Sequence, residues 1–194
     1  MMKKLISLAA LSWVMVIGLI LCNVLLIRQN FQLRALVQRL EAEQRIQIGD
    51  KLGPFKGADL DGKSVELRFD GSQLKKVVLF SSINCSFCKK QNPKWNQLIE
   101  KIDRGKYEVV ELFRERETQS QVAAYLKANS FPTGEAVKVF LLGDAPLTEE
   151  KLNSTPITLI VGENGVVEKA WFGLWNESAT AEVNSALDIS IQSD

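Results

Sequence analysis

Histidine is absent from all 194 residues of the chain. Without an imidazole there can be no Ser–His or Cys–His nucleophile pair within it, and no zinc or copper site built on a histidine ligand. Proton transfer must therefore use Asp, Glu, Lys, Tyr, Cys or water. Net charge is almost absent as well. With 24 basic side chains against 23 acidic ones, a formal charge of +1, there is no electrostatic reason to expect nucleic acid as a partner. Cysteine is scarce, three in the whole chain, and a domain of this length can build a core without disulfide staples. No internal repeat is visible, and a hydrophobic content of 46% argues against disorder.

What is present starts with a long apolar run. Residues 5–27 are 23 consecutive uncharged residues, mostly Leu, Ile, Val and Ala. As a helix at about 1.5 Å per residue they would span roughly 35 Å, more than the ~30 Å hydrocarbon core of a bilayer. A cleaved signal peptide has a shorter apolar region, about 7–15 residues, followed by a small-residue cleavage site. Here the run simply ends at Arg28, and Leu21 occupies the place where a lipoprotein reading of Cys22 would need a small residue. Residues 1–27 are therefore expected to form an uncleaved membrane anchor in which Cys22 only packs. Lys3 and Lys4 favour a cytoplasmic N-terminus, whereas Arg28, Arg34, Arg39 and Arg45 after the run oppose it.

Residues 28–47 read as a charged helical spacer. Leu33, Val37 and Leu40 make a heptad-like stripe shorter than a coiled coil requires, and its second reading is weak homodimerisation. From residue 48 to 194 the pattern is that of one folded domain. Asp61-Gly62 separates two short segments of a hairpin. Strands are expected at 76–81, 107–113, 137–142, 157–161 and 166–171, the last two joined across Gly162-Glu163-Asn164-Gly165. Helices are expected at 89–102 (kinked by Pro93), 118–128 and 178–186, with a short helical turn at 147–152. Strand–helix–strand followed by a hairpin and a helix makes an α/β domain, a mixed sheet flanked by helices.

Between the strand at 76–81 and the helix that follows stands Cys85-Ser86-Phe87-Cys88. The free N–H groups and dipole of a helix N-terminus favour negative charge on a side chain placed there. Three residues on, Cys88 returns to the same side of the first turn, within disulfide reach. Cys85 is the expected nucleophile toward a substrate disulfide and Cys88 the group that resolves the mixed disulfide. Two cysteines cannot close a four-ligand zinc site, and no cofactor or metal is implied. Lys89 and Lys90 follow the pair and could stabilise a thiolate, although such lysines also suit an ordinary solvated helix face.

The stretch KVVLFSSINCSFCKKQNP resembles the active-site segment of TlpA-like redoxins, membrane-tethered members of the thioredoxin superfamily. IGDKLGPFKGADLDGKSVEL resembles their N-terminal hairpin, and STPITLIVGENGVVEKAWFG their segment with a cis-proline and the last two strands. The resemblance covers residues 48–186. It implies a thioredoxin fold with an N-terminal hairpin extension, preceded by a single transmembrane helix. It also implies thiol–disulfide exchange with partner proteins, as a reductant or maturation accessory, and a domain facing the periplasm from the inner membrane, where a membrane electron donor could serve it. Pro156 would be the cis-proline and Thr155 a substrate contact; the sequon Asn153-Ser154-Thr155 is then coincidence. The chain departs from the family at three positions. Asn84 stands where a Trp usually precedes the first cysteine, Gln91 where a Glu often follows the second, and Leu79 where thioredoxin carries a buried acid. Asn84, Lys89 and Gln91 are thus the residues expected to tune the dithiol. A non-catalytic binding or assembly module is the alternative function. A peroxidase is a third, disfavoured because Ser81-Ser82-Ile83-Asn84 lacks the Thr and Pro that usually precede a peroxidatic cysteine.

Overall fold

The computed structural model describes residues 2–43, 45–114, 117–143 and 151–192. It divides into two units, 1–45 and 46–194. The first is one helix, α1 (Met2–Glu43), running without a break through both the apolar run and the charged spacer. Within it Met15–Arg34 is long and apolar enough to cross a membrane, and its side chains are exposed to the surroundings.

The second unit is a seven-stranded mixed sheet with three helices among the described residues. Its strands are β1 (Phe55–Ala58), β2 (Ser64–Leu67), β3 (Lys75–Ser81), β4 (Tyr107–Phe113), β5 (Lys138–Leu142), β6 (Ile157–Val161) and β7 (Val167–Phe172). Their spatial order is β2-β1-β5-β4-β3-β6-β7. The parallel pairs β3–β4 and β4–β5 are joined through α2 (Ser86–Lys101) and α3 (Gln119–Ala128), while the remaining neighbours pair antiparallel. The last element is α4 (Glu177–Leu187). Expected ends shift by a residue or so at most elements; α2 differs more, starting inside the dithiol at Ser86 and passing Pro93 without ending. Residues 144–150, which hold most of the turn expected at 147–152, lie outside the described residues.

Alternation along the central strands explains the layers. Val77 and Leu79 of β3 face a core with Trp95, Leu98 and Ile99 of α2 and Val122 and Tyr125 of α3. Val78 and Phe80 face the opposite core, with Phe55, Phe69, Leu142 and Leu159. Strand β3, paired on both edges and covered on both faces, is apolar from Val77 to Phe80, as the middle of a central strand should be. The inner stripe of α2 recurs at Cys88, Asn92, Trp95 and Ile99, a helical period, and the Trp95 indole donates to Thr158 Oγ1 at 3.0 Å. At the hairpin, Gly57 has a specific reason: a Cβ there would overlap the Leu141 carbonyl on β5, so only glycine lets β1 close onto that strand.

Candidate active site

The dithiol sits at the C-terminal end of β3, where the chain turns into α2. Cys85 is the N-cap of that helix, with extended backbone, and its sulfur accepts the Cys88 N–H at 3.1 Å. A residue that would usually be Ser, Thr, Asn or Asp is here a cysteine, so the sulfur does the capping. The Cys85 thiol is half-buried and lies 3.6 Å from the Thr155 carbonyl oxygen, to which it donates. Cys88, one turn in, is fully buried. Burial pushes its thiol pKa strongly up, and the neighbouring Cys85 adds to this. The two sulfurs are thus unequal: one reachable from outside, the other sealed and held as a thiol.

Across from them, the Thr155–Pro156 peptide bond is cis. The Thr155 side chain is within hydrogen-bonding reach of Cys88, so this residue meets both cysteines. Gly173, just past β7, donates its N–H to the Pro156 carbonyl at 2.8 Å and brings the 172–175 segment alongside. Among the described residues of this unit, the exposed large apolar side chains are Phe87 (56% exposed), Leu174 (42%) and Phe172 (37%) on these elements, and Ile48 away from them.

Among the expected tuning residues, Asn84 and Lys89 are exposed beside the dithiol, as is Lys90. Gln91 is not a surface group. It is fully buried, and its Oε1 accepts the Trp175 N–H at 3.0 Å, while Lys94 Nζ donates to the Trp175 carbonyl at 2.9 Å. Both backbone groups of Trp175 are thus gripped by α2, which ties the segment beside the cis-proline to the helix that carries the cysteines.

Leu79 and Gln91 do stand where the resemblance places acids, but two carboxyl groups reach this region from β4 and its exit. Glu111 pairs in register with Leu79 on the adjacent strand and is 1% exposed. Its Oε1 accepts the Ser81 hydroxyl at 2.5 Å, and its Oε2 has no hydrogen-bond partner. Burial holds the carboxyl well above its ordinary pKa, and the nearby Glu117 carboxyl pushes the same way. Glu117 is 9% exposed; its Oε1 accepts the Ile83 N–H at 2.9 Å, with the Ser82 hydroxyl in reach. Burial raises its pKa too. Successive residues of the Ser81-Ser82-Ile83 segment, which leads into Cys85, are therefore held by carboxyl groups. The signal for Glu111 was present in YEVVELF: an acid on the parity of Val109 and Phe113, inside an otherwise buried strand.

No protein-family model and no curated protein sequence matches the chain. Solved structures do resemble it. The thioredoxin domain of a thiol-disulfide oxidoreductase from Bacteroides vulgatus superposes with a TM-score of 0.57 at 17% identity, covering 73% of this chain and 99% of that one. A thiol-disulfide isomerase from Corynebacterium glutamicum gives 0.56 at 15%, covering 72% and 96%. A thiol:disulfide interchange protein from a Bacteroides species gives 0.55 at 17%, covering 74% and 91%. These likenesses establish the thioredoxin fold for the unit that carries the dithiol.

Proposed function

We propose that this chain is a thiol–disulfide oxidoreductase that exchanges electrons with partner-protein disulfides through Cys85 and Cys88, held at a membrane by α1 with its folded unit outside the cytoplasm. The observation that carries the reading is the asymmetry of the pair. Cys85 caps α2 and is open to an incoming disulfide; Cys88 sits one turn in, buried, with its N–H on the Cys85 sulfur. That is the arrangement exchange chemistry needs. The Cys85 thiolate attacks one sulfur of the substrate disulfide, that bond breaks, and the departing sulfur takes a proton. Cys88 then attacks Cys85 in the mixed disulfide, closes the intramolecular bond and releases the second substrate thiol. Thr155, whose carbonyl lies 3.6 Å from Cys85, and Pro156 beside it would contact the polypeptide being served. The apolar Met15–Arg34 segment supports the anchor.

The test is a redox titration of the full chain in detergent micelles, equilibrated in glutathione buffers and read by thiol trapping and mass spectrometry. A reversible Cys85–Cys88 disulfide is expected. A potential near or below about −270 mV would make the protein a reductant, and one nearer −120 mV an oxidant. If no reversible disulfide forms at any poise, the exchange reading fails and a non-catalytic binding module takes its place. A burst of dithiol oxidation by peroxide outpacing exchange with disulfides would instead indicate a peroxidase.

A further inference from the structure

Helix α1 carries a pattern that its apolar composition conceals. It runs unbroken from Met2 to Glu43, so the register of the Leu33, Val37 and Leu40 stripe can be carried back into the apolar run. Alternating steps of three and four residues back from Leu33 meet Asn30, Leu26, Asn23, Leu19 and Val16. In heptad terms the a positions are Val16, Asn23, Asn30 and Val37, and the d positions are Leu19, Leu26, Leu33 and Leu40. Each d is a leucine, and each a is a valine or an asparagine. A parallel two-stranded coiled coil makes the same choices: a β-branched residue at a, leucine at d, and asparagine at a to fix the register. Four heptads are also long enough for such a pattern to be read.

The stripe is open and free of charge. Val16, Leu19, Leu26, Leu33 and Val37 are 45–63% exposed, and Asn23 and Asn30 are exposed beside them. None of the charged residues that follow the apolar run (Arg28, Arg34, Arg39, Glu41 and Glu43) falls on an a or d position. Asn30, Leu33, Arg34 and Val37 line a shallow recess. These are successive a, d, e and a positions, a four-residue hole of the kind that receives one side chain of a facing helix. Asn23 is the one carboxamide in residues 5–27. Its Nδ2 donates to the Leu19 carbonyl at 2.9 Å, and its Oδ1 accepts no hydrogen bond among the described residues. In hydrocarbon an unpaired polar group is costly, and a second helix is what can satisfy it.

We propose that α1 is a self-association helix: two copies of the chain pair in parallel along the stripe from Val16 to Leu40, with Asn23 against Asn23 and Asn30 against Asn30. A carboxamide is both donor and acceptor, so it complements its own copy, and parallel in-register pairing places both asparagines opposite themselves. The flanking g and e positions agree, since Gln29 then faces Arg34 and Leu36 faces Glu41, with no like charges opposed. Eight a and d side chains, each covering roughly 60–120 Å² of apolar surface, bury about 500–1,000 Å² per copy, against ~800 Å² in a specific interface. The inference rests on the anchoring proposed above, which gives neighbouring copies one orientation, and not on the exchange chemistry.

The experiment uses the full chain with Cys22→Ser, Cys85→Ser and Cys88→Ser, placed in phosphatidylcholine vesicles and recovered by flotation. Single cysteines are then introduced on the stripe (Leu33→Cys, Val37→Cys) and off it (Arg28→Cys, Gln32→Cys), and disulfide cross-linking is followed under a mild oxidant. A disulfide needs Cα atoms within about 7 Å, so the two stripe positions should cross-link at least about tenfold faster than the other two. In density-matched micelles under reducing conditions, sedimentation equilibrium of the wild-type chain should give the mass of two copies. Asn23→Leu should raise the dissociation constant about tenfold, while Val24→Leu, one residue off the stripe, should leave it within about twofold. Equal cross-linking at all four positions in floated vesicles overturns the pairing and leaves the anchor standing. A monomer, which would give the stripe to a different membrane protein, or a higher oligomer does the same. A chain that stays out of the floated vesicles overturns both.

Discussion

Replacing Glu111 by glutamine should flatten the dependence of stability on pH. The carboxyl is sealed on the inner face of β4, and its pKa in the folded chain stands well above the ordinary value because burial disfavours the charged form. The unfolded chain releases this proton near pH 4.5, while the folded chain keeps it. The folded state therefore binds more protons, and stability falls as pH rises from the unfolded pKa through the folded one. Within that window each such group removes up to about 1.4 kcal/mol per pH unit. Glutamine has the same shape and can still accept from Ser81, yet never ionises. Absence of histidine makes the measurement clean, since ordinary carboxylates titrate below about pH 5 and thiols near 8.5. Denaturant unfolding followed through Trp95, Trp171 and Trp175 at pH 5, 6 and 7 would give the slopes. Wild type should lose stability faster than the variant across this range, and Glu117, raised by burial as well, should leave a residual slope in both. Parallel curves would refute the placement of a buried, protonated carboxyl at Glu111.

Cys88→Ser should accumulate mixed disulfides between Cys85 and partner polypeptides, visible on non-reducing gels, whereas Cys85→Ser should trap none. Gln91→Ala removes the acceptor of the buried Trp175 N–H, a loss of about 1–3 kcal/mol. For a unit of this size each kcal/mol lowers Tm by about 2–4 °C, which calorimetry would detect. Val24→Arg, within the Met15–Arg34 segment, adds about 3 kcal/mol to the cost of membrane insertion and should shift the protein from the membrane fraction to the soluble or aggregated one.

Much of the architecture was readable from local patterns because those patterns and the fold agree. The Val77–Phe80 run marks a central strand because nothing in those four residues objects to burial on both faces, and the strand at 107–113 was read to the residue. The place of Cys85 and Cys88 at the start of a helix was legible because the C-x-x-C spacing directly follows an apolar strand and precedes a helical period. Thr155–Pro156 was found by resemblance; the residues themselves do not distinguish a cis bond from a trans turn. Contacts between elements distant in sequence were not legible. Gln91 looked like a surface position one turn past the dithiol, and only the path of the chain after β7 brings Trp175 against it. The parity of Glu111 within YEVVELF marks it as inward-facing, but its neighbour across the sheet was hidden for a related reason. Position 79 was the place to look for an acid in one dimension, but a parallel strand lays position 111 directly beside it.

The rims of the sheet have a consequence for a chain held at a membrane by α1, as proposed above. Chains tethered to a bilayer diffuse in two dimensions, where copies collide far more often than the same number free in solution. Under that crowding the hazard is one sheet templating another through bare backbone. Hairpin β1–β2 caps the flank of β5, so the outermost strands are β2, only four residues long, and β7. Both are studded with charge: Arg68 bridges Glu66 and Asp70 on one rim, and Glu168 bridges Lys75 near the other. Short, charged margins of this kind discourage strand-to-strand stacking. Lengthening β2, or replacing Glu66 and Arg68 by valine, would therefore cost little in a dilute test tube and, on the anchored reading proposed above, show itself as lateral clustering in vesicles that carry the full chain.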